Sequence, residues 1–255
     1  MTKYNESILK LGEKVLSGKD LSFFQRVWKT DSETYKNRLA SIGFQNKNRV
    51  LDAGCGFGQW SVELAKNNKE VFSLDICQKR IELLNKIKKK IGISNIFESI
   101  GSIEKLYFKD EYFDSIFCYS SIYFSDISKS LKEFYRVLKP KGIIYISTND
   151  FGWYIHNLID GHNSDINFNS KIMAINSLHN SIEYYSNGRK LEGQIVVPKL
   201  FLKNKMKEIG FKKIRIGPDG TTGLNKLNKK VKIFYPESYN FGKSYNGVYE
   251  VLSEK

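Results

Sequence analysis

The chain has 255 residues, 41% of them hydrophobic, and a formal net charge of +14. That length suits one α/β domain with an elaboration, and no run reaches the roughly 18–20 apolar residues of a membrane helix. The basic balance points to an anionic partner, yet only 7 of the 41 basic residues are arginine and no arginine-rich stripe stands out. Nucleic acid and an anionic small substrate therefore stand as alternative readings of the charge. The first fifteen residues are mixed-charge and amphipathic, without the apolar centre of a signal peptide. Cys55, Cys77 and Cys118 lack metal-ligand spacing. A cytoplasmic setting, reduced thiols and no metal centre are the expectation.

Apolar residues at helical spacing predict three leader helices ahead of the first strand. The first runs from Asn5 to Leu16, the second holds Phe23, Phe24, Val27 and Trp28, and the third runs from Tyr35 to Ile42. Then comes the stretch Arg49 to Gln59. Its short apolar strand, Val50 and Leu51, leads to Asp52 and to glycines at alternate positions, Gly54, Gly56 and Gly58. An amphipathic segment, Trp60 to Lys66, follows directly. Strand, glycine turn and helix bring a backbone close to a ligand at a helix N-terminus. The spacing is G-x-G-x-G, which argues against the G-x-G-x-x-G of nicotinamide and flavin enzymes.

The nine residues Val50 to Gly58, V-L-D-A-G-C-G-F-G, resemble motif I of the class I S-adenosylmethionine (SAM)-dependent methyltransferases. The landmarks that the resemblance implies appear in order. Glu70 to Leu74 reads as the second strand, closed by Asp75, 23 positions after Asp52. A carboxylate there implies a partner for two ribose hydroxyls, and Ile76 an apolar contact to adenine. Gln78 to Ile91 is a basic amphipathic helix. Asn95 to Ile100 reads as the third strand, followed by Gly101-Ser102-Ile103-Glu104. The family often places an aspartate for the adenine amino group where this chain has Ser102, with Ile103 contributing an amide and an apolar contact. Tyr112 to Cys118 matches the fourth strand. Its continuation, Tyr119 to Phe124, lies at the carboxyl end of the sheet, where open α/β folds bind ligands. Leu131 to Leu138 reads as a helix that ends at the Pro/Gly turn Lys139-Pro140-Lys141-Gly142, with Ile143 to Ser147 as the fifth strand.

The implied fold is α/β: a Rossmann-like seven-stranded sheet with helices on both faces, order 3-2-1-4-5-7-6, the last strand antiparallel. N-terminal helices and a cap inserted after strand 5 complete it. The expected organisation is a leader over 1–48, a SAM-binding core over 49–149, a substrate cap over 150–197 and completion of the sheet over 198–255. In that last part Pro198 to Ile209 reads as a helix and Phe211 to Ile216 as a strand. Either 231–235 or Gly247 to Leu252 fits the final strand.

Methyl transfer from a sulfonium is an in-line displacement in which the cofactor brings the reactive carbon. The protein supplies approach, orientation and electrostatics, and a hydroxyl acceptor also needs a base. All three histidines, His156, His162 and His179, fall in the inserted segment. His156 and Tyr123 are the catalytic candidates, the latter for its strand-end position; packing roles are the alternative for both. The resemblance assigns the cofactor to Asp52, Gly54, Gly56, Gly58, Asp75, Ile76, Ser102, Ile103 and Tyr119. Trp28 and Tyr35, from leader helices that pack over the cleft in that family, join Tyr154 and Arg189 as substrate candidates. The implied activity is transfer of a methyl group from SAM, leaving S-adenosylhomocysteine, to O or N of a small acceptor, with a sugar or surface-glycan precursor favoured. An RNA-modifying enzyme of the same fold and a degenerate SAM-binding scaffold subunit are the alternatives. No N-P-P-Y, D-P-P-Y or Pro-Cys pair supports nucleic-acid base methylation.

Overall fold

The computed structural model describes residues 3–223, 231–232, 234 and 247–255. Seven strands form one sheet in the order β3-β2-β1-β4-β5-β7-β6, the order expected from the sequence. They are β1 (Arg49–Ala53), β2 (Glu70–Asp75), β3 (Ile96–Ile100), β4 (Phe113–Tyr119), β5 (Leu138–Asn149), β6 (Lys212–Pro218) and β7 (Val248–Glu254). The first five pair in parallel, and β7 is antiparallel to both β5 and β6. The last strand therefore lies at the second of its two expected positions. The other, 231–235, falls partly outside the described residues.

Side chains alternate across the pleat, so each strand feeds two cores. One face, with Val50, Phe117, Tyr145 and Leu252, is covered by α1 (Lys3–Glu13), α2 (Gly18–Lys29), α3 (Ser32–Ser41), α4 (Gln59–Ala65) and α5 (Gln78–Ile91). The other, with Leu51, Ile116, Ile144 and Val251, packs against α6 (Ile127–Val137) and α9 (Lys199–Ile209). Between β5 and α9 the inserted segment folds as α7 (Phe151–Asp160) and α8 (Ser170–Asn187).

Local chemistry sets the ends of these elements. Asp126 accepts from Lys129 N to cap α6, and Asn169 accepts from Lys171 N and Ile172 N to cap α8. Left-handed glycines close α5, α7, α8 and α9 at Gly92, Gly161, Gly188 and Gly210. Residues 138–142 differ from expectation. They do not form a turn ahead of the fifth strand but belong to β5 as a bulge, with Lys141 at φ 63° and pairing regular again from Ile143. Asp114 fixes that corner, accepting from Arg49 N at 2.6 Å and from Lys139 Nζ at 2.7 Å. Three strands are thereby joined at their amino ends.

The leader is anchored by a buried charge. Arg38 of α3 is fully buried, and its Nη1 donates to Asp219 at 2.6 Å, Glu250 at 2.9 Å and Tyr145 Oη at 3.1 Å. Its Nη2 donates to Lys232 O at 2.6 Å. Burial opposes the guanidinium charge, but Tyr145 and Asp219 more than offset it and keep Arg38 protonated. The carboxylates are themselves saturated. Glu250 accepts from Tyr145 Oη, Thr222 N and Thr222 Oγ1, each at 2.7 Å, and Asp219 from Phe234 N at 2.8 Å. Removing the cation would strand two buried carboxylates, so Arg38→Met should cost about 3–5 kcal/mol of stability. Urea denaturation followed by circular dichroism measures it, and a loss below about 1 kcal/mol would contradict this account.

Candidate active site

The glycine turn is held from behind. Leu74 O at the end of β2 accepts from Gly54 N at 2.8 Å and Cys55 N at 2.9 Å. Asp75 then accepts from Gly56 N through one carboxylate oxygen and from Cys77 N through the other, both at 2.9 Å. Gly54, Gly56 and Gly58 have φ of 75°, 57° and 77°, the left-handed region that side chains disfavour. Their surroundings differ. A Cβ on Gly54 would lie 2.4 Å from the Ser121 side chain and one on Gly58 2.3 Å from Leu84, whereas one on Gly56 meets nothing within 4 Å among the described residues. Packing within the protein demands the outer two glycines. The middle one faces open space, and a ligand approaching the turn needs that space.

The residues around the opening suit the cofactor. Asp75 keeps acceptor capacity beyond the two amides it binds. Ile76 is 76% exposed beside it, an apolar side chain left largely uncovered by the described residues. Gln59 Oε1, one residue past Gly58, is buried without a hydrogen-bond donor among the described residues. Ser102 Oγ accepts from Glu104 N at 3.1 Å in its own turn, and Ile103 is buried. Asp52 lies beneath the turn and accepts from Ser61 Oγ at 2.6 Å. Burial raises its carboxyl to about 7, with Ser61 opposing and the charge of Asp75 adding.

On the leader side an aromatic cluster closes around Trp60. Its ring centroid is 4.5 Å from Tyr35, 4.8 Å from Tyr119 and 6.2 Å from Phe234. Tyr35 donates its hydroxyl to Val27 O at 2.7 Å. Trp28 packs on Phe24 at 6.1 Å, and its indole N–H is buried without an acceptor among the described residues. The fold thus brings Tyr35 and Tyr119 together, with Trp60 between them.

On the other side, Tyr123 sits in a short 3-10 turn (Ile122–Phe124) whose carbonyl accepts from Ile195 N at 3.0 Å. Tyr154 of α7 donates to Ile195 O at 3.0 Å, and the Tyr123 phenol contributes to raising the Tyr154 pKa after burial, the main cause. His156 lies two residues further along α7, roughly 200° around the helix. It is buried with its Nδ1 2.8 Å from Asp160 Oδ2 and its ring 5.1 Å from that of His162. The two catalytic candidates therefore occupy different sides of α7. Arg189 is exposed and binds Glu183 at 2.7 Å. Among the described residues no group of three histidine, cysteine or carboxylate side chains is placed to hold a metal.

Sequence reasoning passed over Arg38, Trp60, Ser121, Asp219 and Glu250. Ser121 Oγ donates to Ala53 O at 2.8 Å and so ties the end of β4 to the glycine turn. For Arg38 a signal existed, since it stands three residues after Tyr35 on the face that α3 buries.

The sheet order and the glycine turn at the carboxyl end of β1 define a Rossmann-like cofactor-binding domain. Residues 44–209 match the model of a family described as a methyltransferase domain. The chain belongs to the class I SAM-dependent methyltransferases, and its cofactor is SAM. It is 33% identical over 97 residues to the uncharacterized methyltransferase YcgJ of Bacillus subtilis, covering 38% of each protein. Over 146 residues it is 37% identical to the ubiquinone/menaquinone biosynthesis C-methyltransferase UbiE of Rickettsia prowazekii, covering 48% of this chain and 56% of that one. The chain thus spans about half or less of these relatives' length. Its fold is similar to that of a putative sarcosine dimethylglycine methyltransferase from Galdieria sulphuraria. The TM-score is 0.59, the identity 17%, and 100% and 98% of the two chains are covered.

Asp52 makes stability fall with rising pH. Its carboxyl is raised in the fold, so the unfolded chain releases the proton first, and stability present near pH 4 is lost as pH climbs to about 7. Asp52→Asn should flatten that slope. Urea midpoints across the window measure it, and an unchanged slope would refute the assignment.

Proposed function

We propose that this protein binds SAM across the glycine turn and passes its methyl group to a small-molecule acceptor held at the carboxyl ends of β4 and β5. The open space in front of Gly56, between glycines that packing locks in place, carries the reading. When bound, SAM supplies a methyl group on a cationic sulfur, so the chain needs no electrophile of its own. Asp75 binds the ribose hydroxyls through its remaining lone pairs, Ile76 covers the adenine, and Ile103 lines the same pocket. Trp60 and Tyr119 wall off water on the leader side. Residues 150–197 serve as the substrate cap.

The aromatic cluster of Tyr35, Trp60, Tyr119 and Phe234 suits an apolar or aromatic acceptor better than a sugar. UbiE, the relative named for quinone biosynthesis, is a C-methyltransferase, which supports methylation at carbon over the O or N expected from sequence. The sugar or glycan reading has no counterpart in these relatives, and the RNA reading rests on net charge alone. If an acceptor hydroxyl or carbon must lose a proton, Tyr123 at the strand end is the nearer base to the sheet, and His156, paired with Asp160, is the other.

Three measurements test this. Gly56→Val should weaken SAM binding by at least about a hundredfold, as a side chain fills the approach. The strained φ should cost only about 1–2 kcal/mol of stability. Calorimetric affinity within a few-fold of the parent would overturn the cofactor placement. With methyl-labelled SAM, quinol-like and prenylated phenolic acceptors should be labelled ahead of sugar nucleotides. Tyr123→Phe should lower kcat while leaving SAM affinity unchanged. Labelling confined to sugar nucleotides would overturn the acceptor class.

A further inference from the structure

Residues 195–197 lie outside any helix or strand and run from the end of β4 to the end of β5. Ile195, Val196 and Val197 are all fully buried, so their peptide groups need partners. The N–H groups are met one by one: Ile195 N donates to Tyr123 O at 3.0 Å, Val196 N to Ser181 Oγ at 2.8 Å and Val197 N to Asn149 O at 3.0 Å. The carbonyls accept from three phenols. Ile195 O accepts from Tyr154 at 3.0 Å, Val196 O from Tyr185 at 2.7 Å and Val197 O from Tyr249 at 2.9 Å. Side chains alternate as well. Ile195 and Val197 enter the core that packs against α6 and α9, whereas Val196 packs with Trp153, Tyr154 and Ala174 of the inserted helices. The bridge is thus pinned from both sides.

Tyr123 depends on this bridge. It is the middle residue of the turn Ile122–Phe124, a single 3-10 turn with the weak hydrogen-bond geometry of its kind. The turn occupies its own first carbonyls: Phe124 N donates to Ser121 O at 3.0 Å and Ser125 N to Ile122 O at 3.1 Å. Tyr123 O is held from outside, by Ile195 N. The Ile195 peptide in turn is fixed at its other end by the Tyr154 hydroxyl, on a side chain fully buried in α7. A chain of two hydrogen bonds therefore runs from Tyr154 through one peptide to the backbone of Tyr123.

We propose that Tyr154 is a positioning residue for methyl transfer, holding Tyr123 in place through the Ile195 peptide, given the reading of Tyr123 as the strand-end base. A base displaced by an ångström loses one to two orders of magnitude in rate. The bond from Tyr154 to Ile195 O touches neither SAM nor acceptor, so its loss leaves their binding alone.

Steady-state transfer from methyl-labelled SAM to a prenylated quinol tests it, and a sugar nucleotide replaces the quinol if the parent labels that instead. Tyr249→Phe is the control, because it loses the same kind of bond at the β5 end of the bridge. Both Tyr154→Phe and Tyr249→Phe should lower the melting temperature by a few degrees. Tyr154→Phe alone should lower kcat, by about tenfold, with acceptor KM and calorimetric S-adenosylhomocysteine affinity within about twofold of the parent. In the Tyr123→Phe background it should have no further effect on kcat. Parental kcat in Tyr154→Phe, or an equal loss in Tyr249→Phe, would overturn the proposal. So would losses that multiply when Tyr154→Phe and Tyr123→Phe are combined. Parental kcat in Tyr123→Phe itself would remove the base first, and the positioning role with it.

Discussion

The end of β2 carries the architecture of the site. Leu74 O and the two oxygens of Asp75 together bind four backbone amides, three of them in the turn that leaves β1. Backbone amides buried without partners are costly, so a left-handed turn of this kind needs acceptors placed for it. Parallel pairing of β1 and β2, in register from Arg49 with Glu70 to Ala53 with Leu74, delivers them. The same carboxylate that shapes the turn borders the space in front of Gly56. In the proposed SAM site, shape and recognition are thus coupled at one residue, which the β1–β2 register places beside the turn.

A second constraint sets the position of the leader. Arg38, Tyr145, Asp219 and Glu250 join α3 to the antiparallel end of the sheet through buried, charge-assisted hydrogen bonds. Such a network adds little net stability over an apolar core, but it is intolerant of misplacement, because each group left unpaired is a desolvated charge. It therefore specifies where the leader lies. The aromatic cluster of Tyr35, Trp60 and Tyr119 depends on that placement, since Tyr35 stands one turn before Arg38 on the same helix.

The parallel half of the fold was legible because it is built from local signals. Asp52, the three glycines, Asp75 and the Phe-Asp opening of β4 sit at strand ends where backbone geometry restricts the residue type. The Pro/Gly landmark was legible as a marker and misread as structure: a bulge and a turn share Pro, Gly and a left-handed residue, and pairing with β4 decides between them. The leader's anchorage and the inserted helices were poorly legible. Arg38 and Glu250 are 212 positions apart, and nothing local marks one as the partner of the other. Histidine count drew attention to His156, whereas the helical period separates it from Tyr123 and Tyr154.

That division follows from what each half must recognise. The donor is one molecule, and much of what approaches it at the turn is backbone, so the demands fall on glycines and strand-end carboxylates that leave a pattern in sequence. On the proposed placement an acceptor would be met by side chains from the leader, the ends of β4 and β5, and the inserted helices, elements distant in sequence and tied together by long-range contacts. Changing acceptor then requires no change in the turn, only different aromatic and polar groups on the same supports. The family resemblance is consequently strongest at the glycine turn and the strand ends beside it and weakest in the inserted helices, where side chains distant in sequence meet and no motif marks them.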